Sequence, residues 1–187
     1  MQMGFSQVDM AILLPACAAA WNLVGGQMPF PGPKNAVRVH RSPDGLFAVE
    51  APTGWQRRLQ DGSNELMFLN GEVSVCVSAA ESQACDTVDQ FLELNKSFLR
   101  SMTPAAEMWA EGQTTVAGAP GAYFTMLCPG RRGRTVVRVA ASLVRRNFYL
   151  FKSAAPSAEL YAVQEVLNRM EKSFKVGAGL PEITTLA

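Results

Sequence analysis

From residue 36 onward the chain alternates apolar and polar positions with a period of two, a pattern twice replaced by helical spacing. AVRVHR and GLFAVEAP are alternating runs separated by Ser42-Pro43-Asp44-Gly45, a tetrad of turn formers, and so predict a hairpin. NELMFLNGEVSVCVSA is a second pair of runs, with Asn70-Gly71 at the crossing. In TVDQFLELNKSFLRSM the period lengthens. Val88, Phe91, Leu92, Phe98, Leu99 and Met102 share one face, and Thr87 with Gln90 forms a capping box, which predicts a helix over 87–102. EMWAEGQTTV, GAYFTMLC, TVVRVAASLV and FYLFKSA return to strand patterning, Val137, Val139, Ala141 and Leu143 alternating cleanly with the other face. A last helix is predicted over 157–174, with Ser157 as its N-cap and Leu160, Val163, Leu167, Met170 and Phe174 as its apolar seam. Lys172 and Lys175 complement its dipole, and Gly177 is the expected stop. The predicted class is α+β, an antiparallel sheet flanked by α-helices, preceded by an apolar N-terminal extension.

That extension occupies residues 1–35. VDMAILLPACAAAWNLV (8–24) is too short, and too interrupted by Pro15 and Asn22, for a good membrane span. As a signal peptide it lacks a basic n-region, Asp9 being the only charge before it, and the same lack weakens the lipoprotein-like LPAC around Cys17. It reads first as a leftover or partly retained export segment and second as a segment that docks against a partner. GGQMPFPGPKN then forms a Gly/Pro-rich linker. The expected division is therefore an extension over 1–35, a domain over 36–176 and a tail over 177–187.

Composition narrows the chemistry. The chain of 187 residues is 48% hydrophobic and 18% charged with a formal net charge of +1, which argues against nucleic acid as a partner. Its four cysteines, Cys17, Cys76, Cys85 and Cys128, include no C-x-x-C pair; they read as buried apolar residues, with a disulfide the lesser alternative. His40 is the sole histidine. HRSPDG brings His40, Ser42 and Asp44 close in sequence, but a hydrolytic triad needs them to converge around an oxyanion hole, so the segment reads as a turn. No G-x-S-x-G, H-E-x-x-H, G-x-G-x-x-G or Walker loop occurs, and GRRGR lacks the Lys-Ser/Thr of a phosphate cradle. The chain is not expected to be an enzyme, and no tightly bound cofactor or metal is expected.

Charge is distributed unevenly. Residues 129–152 carry Arg131, Arg132, Arg134, Arg138, Arg145, Arg146 and Lys152 and no acid, whereas residues 41–111 carry eleven acids and five bases. A basic hairpin on an otherwise acidic domain suits oriented electrostatic docking, and arginine suits bidentate contact with carboxylates. These seven residues are the candidate partner-docking surface, the alternative being an ordinary solvated one.

Two segments resemble the PsbP family, extrinsic lumenal proteins of photosystem complexes. SPDGLFAVEAPTGW (42–55) is similar to the family's D-G-F…P…W hairpin and continues into ELMFLNGEVSVCVSAAES, similar to its N…V-S-V-x-V strand. VVRVAASLVRRNFYLFKSAAPSAELYAVQEVLNRMEKSFKV (136–176) is similar to the family's closing R…A-x-V…L-Y…K-A-x-A, final helix and S-F-x-V ending. The resemblance implies a PsbP-like α/β/α sandwich and a non-catalytic extrinsic subunit of a photosynthetic membrane complex. It would lie in the chloroplast thylakoid lumen, peripheral to the membrane, against acidic lumenal loops of integral photosystem subunits. It further implies an indirect role in calcium and chloride retention, in the photosystem II oxygen-evolving complex or through photosystem I. The chain departs from the family in being rich in arginine where lysine is expected, and its single histidine argues against a histidine-based metal site. The alternative is a bacterial exported or periplasmic binding or chaperone module of the same fold.

Overall fold

The computed structural model describes residues 36–59, 64–82, 84–130 and 133–177, so the N-terminal extension and residues 178–187 of the tail lie outside the described residues. The predicted strands form, with two short additions, Gln56–Leu59 and Lys175–Val176. They are β1 (Val37–Arg41), β2 (Phe47–Pro52), β3 (Gln56–Leu59), β4 (Leu66–Asn70) and β5 (Val73–Glu81), then helix α1 (Val88–Met102). Strands β6 (Glu107–Val116), β7 (Ala119–Gly130), β8 (Gly133–Val144) and β9 (Asn147–Pro156), helix α2 (Leu160–Ser173) and β10 (Lys175–Val176) complete them. All pairings are antiparallel. A seven-stranded sheet runs β3-β4-β5-β9-β8-β7-β6, and a three-stranded sheet runs β1-β2-β10. Among the described residues no helix is long and apolar enough to cross a membrane.

The period of two sorts β9 between two cores. Tyr149, Phe151 and Ala155 pack with Phe47, Val49 and Ala51 of β2 and with Leu167, Met170 and Phe174 at the end of the chain. Phe148 and Leu150 face the opposite way, onto Phe91 and Leu92 of α1. The large sheet is thus the middle layer. Helix α1 covers one face, Phe91 stacking on Phe148 with ring centroids 4.3 Å apart, and α2 with the small sheet covers the other.

Local chemistry accounts for most boundaries. Thr87 Oγ1 accepts from Gln90 N at 3.2 Å, and Gln90 Oε1 accepts from Asp86 N at 2.8 Å, a capping box whose return bond falls one residue before the cap. Gly71, with φ at +61°, supplies the left-handed residue of the β4–β5 hairpin, so the turn is Gly71-Glu72 and Asn70 stays in the strand. Ser157 is not the cap of α2. Its amide donates to Arg134 O, because β9 stays paired with β8 as far as Pro156, and α2 starts at Leu160 after Glu159, which makes no side-chain cap. Gly177 does not end a helix either. The chain turns into β10, and Gly177 N donates to Leu46 O at 2.6 Å in an approach so close that a β-carbon there would lie 1.8 Å from Gly45 O. Cys76, Cys85 and Cys128 are buried and form no disulfide among the described residues; Cys17 lies outside them.

Candidate docking surface

The seven basic residues read as one hairpin surface do not form one. Arg131 and Arg132 lie outside the described residues, between the end of β7 and the start of β8. Arg134 is exposed and forks onto Glu107 of β6, with nitrogen–oxygen distances of 3.2 and 3.3 Å. An exposed pair of this kind contributes little to stability.

Arg138 faces α2. Its Nε and one terminal nitrogen donate to the two carboxylate oxygens of Glu171, both at 2.9 Å, and its guanidinium lies 3.8 Å from the Tyr123 ring centroid. Burial alone would lower its pKa, but the Glu171 hydrogen bonds and charge outweigh that and raise it, so the cation is locked in place. Lys152 is buried in the middle strand, opposite Cys76 and Val139, rather than presented to solvent. The acids missing from residues 129–152 are therefore supplied in space by β6 and α2.

Arg145 and Arg146 remain exposed at the tip of the β8–β9 hairpin. From Arg134 the strand carries the chain roughly 35 Å to reach them. Both hold positive φ, +50° and +68°, in a two-residue turn that ordinarily selects Asn-Gly. Replacing the pair by Asn-Gly should stabilise the fold by about 1–2 kcal/mol, because left-handed backbone is costly for side chains with a β-carbon. Urea denaturation checks this; an unchanged or lower midpoint would show that the arginine side chains stabilise the turn.

The HRSPDG segment builds a turn. Ser42 Oγ donates to Asp44 Oδ1 at 2.6 Å and accepts from Phe47 N, while Asp44 Oδ1 also accepts from Leu46 N. His40 contacts the Phe68 ring edge-on, with centroids 4.9 Å apart. Among the described residues no group of three or more His, Cys, Asp or Glu could hold a metal ion.

Burial first, then Arg57 and Arg38, hold His40 below its ordinary value of 6.5. Folding thus opposes its protonation. Well above the unfolded value His40 is neutral in both states and the effect vanishes; as pH falls through 6.5 toward the folded value, the unfolded chain takes the proton first and stability is lost. The melting temperature of the parent should therefore drop more than that of His40→Gln between about pH 7.5 and 5. Parallel curves would mean that the histidine titrates alike in both states.

No protein-family model matches the chain, and no curated protein matches it in sequence. Solved structures do. Cyanobacterial PsbP (CyanoP) from Synechocystis sp. PCC 6803 superposes with a TM-score of 0.56 at 13% identity, covering 81% of this chain and 99% of that one. The Ran-binding protein Mog1p of Saccharomyces cerevisiae superposes with the same score and identity, over 75% of this chain and 95% of its own. This chain has the Mog1/PsbP-like fold. LpqN, involved in cell envelope biogenesis of Mycobacterium tuberculosis, shares it at a TM-score of 0.51 and 8% identity, over 76% of this chain and 91% of its own. At these identities the likeness speaks for architecture, and it includes the antiparallel sheet between helices read from the sequence.

The same geometry explains what the two PsbP-like segments have in common. They meet in space: Phe47 of the first packs edge-on against Phe174 of the second at 5.4 Å, and Gly177, directly after the second, bonds to Leu46 of the first. Both segments contribute residues that close the fold.

Proposed function

We propose that the protein is a non-catalytic extrinsic subunit that docks on the lumenal face of a photosynthetic membrane complex. The reading is supported by one conjunction: the PsbP-like segments 42–55 and 136–176 close a fold that CyanoP shares over 99% of its length. The partners are integral subunits with acidic lumenal loops, met through exposed arginines such as Arg145 and Arg146. The protein holds no tightly bound cofactor and acts on calcium and chloride only indirectly, by covering the complex. Affinity purification of the native protein from gently solubilised membranes tests the proposal. Photosystem subunits should co-purify; a stable complex with other proteins only would overturn it.

The likeness to LpqN favours a second reading, an exported bacterial binding or chaperone module. In that case Cys17 of the native protein would carry a lipid, visible as a mass increase on the N-terminal peptide, and envelope proteins would co-purify in place of photosystem subunits.

A further inference from the structure

A second basic surface is assembled from β1 and from β3, the latter lying in the segment that is acidic overall. Strand β1 reads VRVHR and β3 reads QRRL, and each is an outermost strand of its sheet. Register settles which way their side chains project. Arg38 pairs with Ala51, His40 with Val49, and Arg57 with Phe68. Ala51, Val49 and Phe68 all belong to the core between the small and large sheets, and residues directly opposite in antiparallel strands share a face. Arg38, His40 and Arg57 therefore project into the mouth between the two layers. The edge-on contact of His40 with Phe68, the residue directly opposite Arg57, brings the two edge strands together on this side, with Arg38 two residues from His40 on the same face. Arg38 and Arg57 are exposed, and no carboxylate among the described residues pairs with either.

The other face of β1 has a different character. Val37 and Val39 are 42% and 56% exposed. Along β1, Arg38 and His40 on the interlayer side thus alternate with Val37 and Val39 on the outer side, where Arg41 ends the strand, beside main-chain groups that no described strand pairs. A free anion would use the cations and leave the valines wet. An extended peptide uses all three features, since a strand added to an open edge brings its own side chains opposite those already there.

Resting on the docking role proposed above, we propose that β1 receives an extended partner segment in which acidic and apolar residues alternate. Its carboxylates meet Arg38, His40 and Arg57 in the mouth, and its apolar side chains cover Val37 and Val39. Neither residues 1–35, with Asp9 as their only acid, nor residues 178–187, with only Glu182, offer such an alternation.

The test uses a short capped peptide alternating glutamate and valine, titrated into the full chain and followed by amide chemical shifts. The largest shifts should fall on Val37–Arg41 and Arg57, and the double variant Arg38→Gln/Arg57→Gln should bind about tenfold or more weakly with an unchanged melting temperature. Arg169→Gln, on the exposed side of α2, should bind like the parent. Parental affinity in the double variant, equal binding of a lysine–valine peptide, or shifts centred on Arg145 and Arg146 would each overturn the proposal. Inorganic phosphate that moved the same three residues, with the peptide inert, would replace it with a small-anion site. None of these outcomes depends on which native complex is recovered, so the peptide site and the photosystem reading fail separately.

Discussion

Phe174→Ala should destabilise the protein by about 3–5 kcal/mol, measured by urea or thermal unfolding. The ring is 1% exposed and lies against Phe47 at 5.4 Å and Tyr149 at 6.1 Å, between the end of α2 and both sheets. Removing it leaves a cavity where the backbone is pinned on both sides, by Phe174 N donating to Met170 O and by the β10 pairing with β2, so little collapse can fill it. Leu167→Ala, about two helical turns earlier on the same face, should cost about 2–4 kcal/mol by the same mechanism. A loss below about 1 kcal/mol for Phe174→Ala would mean that the closing segment is not part of the cooperative core.

Glu171→Ala is expected to have the next largest effect, about 2–4 kcal/mol. Truncation deprives Arg138 of both hydrogen bonds and leaves its charge between the sheet and α2. Arg138 keeps 26% of its side-chain surface open, so water relieves part of the penalty and the estimate lies below that for a fully buried pair. Replacing both partners, as Arg138→Met with Glu171→Met, should recover much of the loss, because an apolar pair of similar length leaves no charge behind. If Glu171→Ala unfolded at the parental temperature, Arg138 would be a surface cation held by nothing.

These two positions also mark how far the sequence could be read. The seam of α2 was legible because Leu167, Met170 and Phe174 recur at helical spacing, and all three are buried. Glu171 belongs to the same face, one residue after Met170, and the signal for it was a lone acid at a position the period assigns to the core. Asn95 repeats the case on α1, buried and bonded back to Phe91 O. The hairpin turns were legible from Ser42-Pro43-Asp44-Gly45 and Asn70-Gly71, since turn chemistry is local. The start of α2 was not, because Ser157 is claimed by a main-chain bond to Arg134, a partner 23 residues back along the chain.

The charge map failed for the same reason of distance. Counting along residues 129–152 finds no acid, yet Glu107 and Glu171 reach Arg134 and Arg138 across neighbouring elements. Counting along 41–111 finds an acidic segment, yet Arg57 of its strand β3 lies opposite Phe68, whose ring His40 of β1 contacts. Short β3 itself went unread, because QRRL carries no apolar alternation and all four residues are exposed.

The proposed electrostatic attachment to a membrane complex is measured most directly by a salt wash of source membranes. Raising salt from about 0.1 M to about 1 M shortens the screening length from about 10 Å to about 3 Å, which removes attraction between exposed charges while leaving buried contacts intact. The protein should leave the membranes in the molar wash and rebind when salt is lowered, and Arg38→Gln/Arg57→Gln should rebind more weakly than the parent. Retention through the molar wash, or rebinding of the double variant at parental affinity, would contradict the account.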